Sequence, residues 1–152
     1  MLNEKEIAPD FELLDDTGKP TKLSDFRGRR VVLYFYPKAM TSGCTVQACA
    51  LRDDYPLYQE AGAVVIGVSY DSVGDIAKFK ARDKLPFILL ADENHEVAEK
   101  YGMWVEKSNY GKKYWGIERT TFLIDAGGVI EKIFHKVKPE THSEQVLAAL
   151  KE

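Results

Sequence analysis

The chain holds two cysteines, Cys44 and Cys49, both in the stretch YPKAMTSGCTVQAC. Sulfur at this spacing has four uses to weigh: a disulfide staple, part of a metal site, two small buried residues, or a nucleophile with its partner. A helical period begins after Gly43, and steps of three and four from Cys44 reach Ala48, Leu51, Tyr55 and Tyr58. That stripe is mostly apolar, so the Cys44 sulfur should face inward from the first helical turn, while Cys49 falls off the stripe. Five helical residues turn through about 500° and set the two Cα atoms roughly 8 to 9 Å apart. A disulfide needs less than about 7 Å, which disfavours a staple in the folded helix. Zinc asks for four ligands, and His95, His135 and His142 show no ligand spacing toward the cysteines, which disfavours a metal site. Two readings stay open, a pair of small buried residues and a dithiol whose first member sits at a helix amino terminus, where unpaired amides favour the thiolate.

The second reading carries an energetic demand. An ordinary thiol near pKa 8.5 is only a few per cent ionised at pH 7, and lowering such a group to about 6 takes roughly 3.4 kcal/mol. A helix dipole supplies at most about 2 kcal/mol, so a cation must contribute, and a guanidinium can also hydrogen-bond an oxygen with its planar fork. Arg119, in GIERTTFLID, immediately precedes a predicted strand that would lie beside the strand at Val31. It is the candidate, against the competing reading of a solvated arginine paired with Glu118.

The elements that must position these groups are short apolar runs alternating with amphipathic stretches, the pattern of an α/β domain spanning residues 1–152. Val31 to Tyr36, Ala63 to Val68 and Phe87 to Leu90 lack alternation, as strands buried on both faces should. Thr121 to Ile124 and Val129 to Phe134 flank DAGG, a hairpin signal. DDTGK and FRGRR read as turns. Ser72 and Thr141 each open a capping pattern before a helical stretch. Pro37 ends the Val31 strand, and Pro56 should bend or split the cysteine helix by removing a hydrogen bond to Arg52. Trp104, Tyr110, Tyr114 and Trp115, with Lys107, Lys112 and Lys113, are expected to form a partly packed surface loop, against the alternative of a loop that receives a reaction partner.

A chain of 152 residues with 45% hydrophobic and 30% charged side chains reads as soluble and globular. It is long enough to remove roughly two thirds of its unfolded surface from water without a staple. No apolar run approaches the about 18 residues of a membrane span. The amino terminus has neither the apolar core of a secretion signal nor the bias of a transit peptide. A net charge of −3 without a basic block argues against nucleic acid as a partner. A cytoplasmic protein is therefore expected, with no membrane partner, and there a permanent disulfide is rare.

Pro37, Thr41 and Cys44 in P-K-A-M-T-S-G-C resemble the P-x-x-x-T-x-x-C signature of the peroxiredoxins. Ala8-Pro9-Asp10-Phe11 is similar to that family's opening, Leu23 to Gly28 to its L-x-D-F-x-G turn, and Arg119 to Asp125 to its arginine-bearing strand. A second cysteine five residues on resembles the bacterioferritin comigratory protein, or peroxiredoxin Q, subgroup. Members often carry T-P-G-C where this chain has Thr41-Ser42-Gly43-Cys44, so the loop here lacks a rigid residue.

The resemblance implies a thioredoxin-like fold, a central mixed sheet flanked by helices, and a peroxidase acting on hydrogen peroxide or alkyl hydroperoxides without a metal, flavin or other cofactor. Cys44 would become a sulfenic acid, with Arg119, Thr41 and the amides of Gly43 and Cys44 around the reacting oxygens. Pro37 would shield the sulfur, and Tyr36 would help wall the pocket. Cys49 would then form a disulfide with Cys44, after the first helical turns unwind at Ser42 and Gly43, and thioredoxin or a similar dithiol would reopen it. A monomer is the simpler expectation, with a dimer left open. Two other classes compete: a thioredoxin-like dithiol exchanger, which would favour C-x-x-C, and a non-catalytic interaction domain.

Overall fold

The β-branched and aromatic runs form the centre of the sheet. A computed structural model describes residues 2–151; the predicted domain limits, Met1 and Glu152, lie outside them. In chain order, β1 (Glu12–Asp15) and β2 (Pro20–Lys22) form a hairpin closed at DDTGK, and a 3-10 turn (Leu23–Phe26) leads through Gly28 into β3 (Arg30–Phe35). Next come α1 (Ser42–Asp53), α2 (Tyr55–Glu60), β4 (Ala63–Ser69), α3 (Val73–Asp83), β5 (Ile88–Ala91) and α4 (Glu96–Lys100). The chain ends with β6 (Trp104–Asn109), β7 (Lys112–Ile117), β8 (Thr120–Ile124), β9 (Ile130–Phe134) and α5 (His142–Leu150).

One sheet runs β2-β1-β5-β4-β3-β8-β9, and it is mixed: β3, β4 and β5 are mutually parallel, while β8 lies antiparallel to β3. Alternation along β3 divides the core in two. Val32, Tyr34 and Tyr36 join Cys44, Ala48 and Leu51 of α1, Tyr58 of α2 and Val146 of α5 on one face. Val31, Leu33 and Phe35 join Val97, Ala98 and Tyr101 on the other. Burying both faces explains why these strands carry no polar alternation.

Three local features refine the sequence reading. Ser72 caps α3 as expected, its hydroxyl accepting from the Asp75 amide at 3.1 Å, but Thr141 makes no side-chain cap. Its backbone is already turned (φ −114°, ψ −3°), and the His142 amide donates instead to the Lys138 carbonyl. Pro56 does split the helix: α1 stops at Asp53 and α2 restarts with Pro56 in its first turn, where a missing amide costs nothing. The expected aromatic loop is a separate two-stranded sheet, β6 against β7. Its turn has φ 51° at Tyr110 and 80° at Gly111, the paired left-handed geometry whose twist matches a hairpin. The polar sequence hid this hairpin because its strands bury little.

Candidate active site

The site forms where β3 stops. The Tyr36 amide still bonds the Val68 carbonyl, then Pro37 supplies no donor and the chain leaves the sheet. Asp71, buried at the end of β4, holds the departing loop: one carboxylate oxygen accepts from the Ala39 amide at 2.8 Å and from the Ser69 hydroxyl at 2.6 Å. Met40 takes a left-handed backbone (φ 64°) and turns the chain into α1. Thr41 is the residue before the helix; its hydroxyl donates to the Lys38 carbonyl at 2.9 Å.

Cys44 is the third residue of α1, 1% exposed, and its sulfur is free. It belongs to the predicted stripe with Ala48, Leu51 and Tyr58, whereas Cys49 is only half-buried and also free. Both lie on one uninterrupted helix. The apolar residues beneath fix the helix roll, and the roll decides which thiol faces the arginine.

Arg119 arrives from the opposite side, one residue before β8. Its Nη2 donates to Cys44 Sγ at 3.4 Å, and its Nη1 to Gln47 Oε1 at 2.5 Å. A β-carbon on Gly43 would meet Arg119 Nη2 at 3.3 Å, so glycine admits the guanidinium to the helix start. Glu118, the competing partner, instead accepts from the Thr120 hydroxyl at 2.8 Å.

Pro37 is half-buried beside this turn, and Tyr36 lies inward, 1% exposed, its ring stacked on Tyr34 at 5.4 Å. Among the described residues the hydroxyls of Tyr34 and Tyr36 have no hydrogen-bond partner, and burial raises the pKa of both.

Sequence reasoning missed three residues of the site and placed a fourth, Lys107, in a surface loop. Gln47 follows Cys44 by three positions, so it shares the helix face; it is fully buried, and a polar residue inside an apolar stripe was the available signal. His142, read only as a distant histidine within a cap, is fully buried and reaches Gln47. Its pKa falls to about 4 through burial and the charge of Arg119, so the ring is neutral at pH 7. Asp71 left no local signal, because its partner lies 32 positions earlier. Lys107, on β6, lines an open groove of about 570 Å³ with Arg119, Tyr114 and Val137. Burial and the Arg119 charge lower its pKa.

A buried thiol, an arginine fork on it, and a helix amino terminus beneath it make a site for attack by sulfur on a group bearing oxygen. Among the described residues, no three His, Cys, Asp or Glu side chains are grouped to hold a metal. The model of the AhpC/TSA family matches residues 5–133. The chain belongs to the AhpC/TSA family, the peroxiredoxins. Peroxiredoxin Bcp of Escherichia coli strain K12 is 50% identical over 99% of this chain and 97% of its own length. Peroxiredoxin Q of Xanthomonas campestris superposes with a TM-score of 0.88 at 38% identity, covering 93% of this chain and 89% of that one. A second X. campestris structure, of a bacterioferritin comigratory protein described for its alkyl peroxide reduction activity, gives 0.88 at 37% identity over 93% and 90%. The peroxiredoxin resemblance read from Pro37, Thr41, Cys44 and Cys49 therefore holds, down to the Bcp and peroxiredoxin Q branch, and the mixed sheet is the thioredoxin fold of these relatives.

Proposed function

We propose that this peroxiredoxin is a thiol-dependent peroxidase reducing hydrogen peroxide and alkyl hydroperoxides, with Cys44 as nucleophile and Cys49 as resolving thiol. The observation that carries the reading is the Arg119 fork, 3.4 Å from Cys44 Sγ on one arm and anchored to Gln47 on the other. A fixed guanidinium beside sulfur stands ready for the negative charge that gathers on the leaving oxygen.

The Cys44 thiolate attacks one peroxide oxygen and breaks the O–O bond. Sulfur is oxidised to sulfenic acid, and the departing oxygen takes a proton and leaves as water or alcohol. With its own proton committed to Lys38, the Thr41 oxygen is left with lone pairs to accept the O–H of the peroxide. The first-turn amides at Gly43 and Cys44 add donors, while Pro37 and Tyr36 form apolar wall. The alkyl peroxide activity described for the X. campestris relative supports the substrate class.

Cys49 then displaces water from the sulfenic acid, and the two thiols become one disulfide. On a continuous helix five positions separate their Cα atoms by roughly 8 to 9 Å, so the first turns of α1 must open before the bond closes. The disulfide is returned to two thiols by exchange with thioredoxin or a similar dithiol, which is itself oxidised. Two free cysteines suit a reducing compartment such as the cytoplasm. Among the described residues no helix is long and apolar enough to cross a membrane.

The test is peroxide consumption with thioredoxin as reductant. Cys44→Ser should consume none, and Cys49→Ser should complete one equivalent and stop. Equal multiple-turnover rates in wild type and both variants would end the proposal.

A further inference from the structure

The Arg119 contact with Gln47 continues into the protein. Gln47 Nε2 lies 3.2 Å from His142 Nδ1, and His142 Nε2 lies 2.6 Å from the Thr121 hydroxyl. Gln47, His142 and Thr121 are each fully buried. A chain of side chains thus runs from the Cys44 sulfur through α1 to the amino terminus of α5 and back to β8.

Every direction in this chain follows from its first member. Arginine has donors and no acceptor, so it fixes the Gln47 amide with oxygen toward Arg119 and NH2 toward His142. The Gln47 NH2 has only donors, so His142 Nδ1 must accept and cannot carry a proton. The ring is then the neutral tautomer with hydrogen on Nε2, which donates to Thr121. Reversing any one member would face two donors or two acceptors in a site without water exposure, a cost a buried network does not bear lightly.

We infer that His142, which does not touch Cys44, is a positioning residue for the peroxidase reaction: its unprotonated Nδ1 holds the Gln47 amide in the one orientation that anchors the Arg119 fork against the sulfur. This rests on the proposed peroxidase reading and names what keeps its arginine in place. A core position filled only for stability would be better served by an apolar side chain; this one is filled by an imidazole whose two nitrogens each have a partner. Burial and the Arg119 charge keep the ring neutral at pH 7, in agreement with the geometry. The other titratable or charged groups around it are Cys44 from α1, Tyr34 from β3 at a ring distance of 5.8 Å, and, through the neighbouring Ser143, Tyr58 of α2 and Asp54. None of them offers His142 a carboxylate at hydrogen-bond distance among the described residues.

Two measurements test this. Long-range proton–nitrogen NMR of the reduced wild-type protein at pH 7 should find the His142 proton on Nε2; a proton on Nδ1, or on both nitrogens, overturns the proposal. The rate of Cys44 oxidation by hydrogen peroxide, followed before the disulfide forms, should fall about tenfold in His142→Leu, as expected when a reacting group loses its fixed geometry. His142→Asn, whose amide oxygen falls near the place of Nδ1, should recover most of that loss. In an Arg119→Ala background His142→Leu should cost nothing further. Equal losses in the two backgrounds, or no recovery in the asparagine variant, would reduce His142 to a packing residue. If the leucine variant does not fold, the NMR measurement and the asparagine variant, compared in both backgrounds, still decide. A wild-type protein that consumes no peroxide would defeat the peroxidase reading, while the tautomer measurement would still report on the network itself.

Discussion

Arg119 Nη2 stands 3.4 Å from Cys44 Sγ although 75 positions separate the two residues. The contact exists because β8 pairs antiparallel with β3, bringing the residue before β8 to the edge where β3 hands the chain to α1. Losing this donor should slow Cys44 oxidation by hydrogen peroxide about 10² to 10³-fold in Arg119→Ala, the range seen when one preset donor is removed from a reacting oxygen. Arg119→Lys keeps the charge without the fork and should fall between. Stopped-flow oxidation of the three proteins checks the order, and identical rates would exclude the arginine from the reaction.

Opening of α1 is restrained from outside the reacting groups. Arg82 of α3 donates to the Thr45 hydroxyl at 2.7 Å. This contact is exposed and worth at most about 1 kcal/mol, but it ties down the turn that must unwind. Arg82→Ala is predicted to speed disulfide formation severalfold and leave the preceding oxidation of Cys44 unchanged. Mass spectrometry of quenched samples separates the two steps; a slower disulfide step would refute the restraint.

His142 predicts an acid dependence of stability. Its folded pKa of about 4 lies below the unfolded value of 6.5, so between these pH values the unfolded chain binds more protons. Unfolding free energy therefore rises with pH across this window: the contribution is complete above 6.5 and is lost as pH falls toward 4. The displacement is worth about 3 kcal/mol at most. The difference between wild type and His142→Gln in urea unfolding should shrink by that order between pH 7 and pH 4. A constant difference would show that the imidazole is not held neutral.

Asp71 predicts a cost in the loop rather than in the chemistry. Asp71→Ala leaves the Ala39 amide and the Ser69 hydroxyl without their acceptor in a buried place, a loss of about 1 to 3 kcal/mol. Asp71→Asn retains an acceptor oxygen and should lose less. Chemical denaturation of both variants measures this; no loss in the alanine variant would mean that the loop does not depend on the clamp.

The parts of the fold legible in the sequence were those with dense local signals. Val31 to Tyr36 and Ala63 to Val68 are β-branched and aromatic runs, and they became the two central strands. The step from Cys44 to Ala48, Leu51 and Tyr58 gave the buried helix face, and Pro56 gave the break between α1 and α2. Cys44 was singled out by its place at a helix start, and Arg119 by the need for a cation together with the family resemblance; the 3.4 Å between them depends on strand pairing. Long-range polar partners were not legible: Gln47 meets His142 across 95 positions, and Asp71 meets Ala39 across a strand and two helices. A single buried polar atom leaves no period in the sequence. Thr141 shows the reverse error, a correct local pattern overruled by a preceding turn at Lys138.

The split at Asp54 works as a firebreak. Ser143 Oγ donates to the Asp54 carboxylate at 2.7 Å, and the Tyr58 hydroxyl reaches the same Ser143 oxygen at 3.0 Å, so α5 grips the chain just beyond the cysteine helix. With no helical ladder running unbroken across the junction, melting that begins at Ser42 has nowhere to propagate past it. Hydrogen exchange should accordingly find the amides from Thr45 to Cys49 opening well before those near Tyr58, letting a repeated thiol cycle loosen the first turns of α1 while α2 and the sheet beneath stay shut.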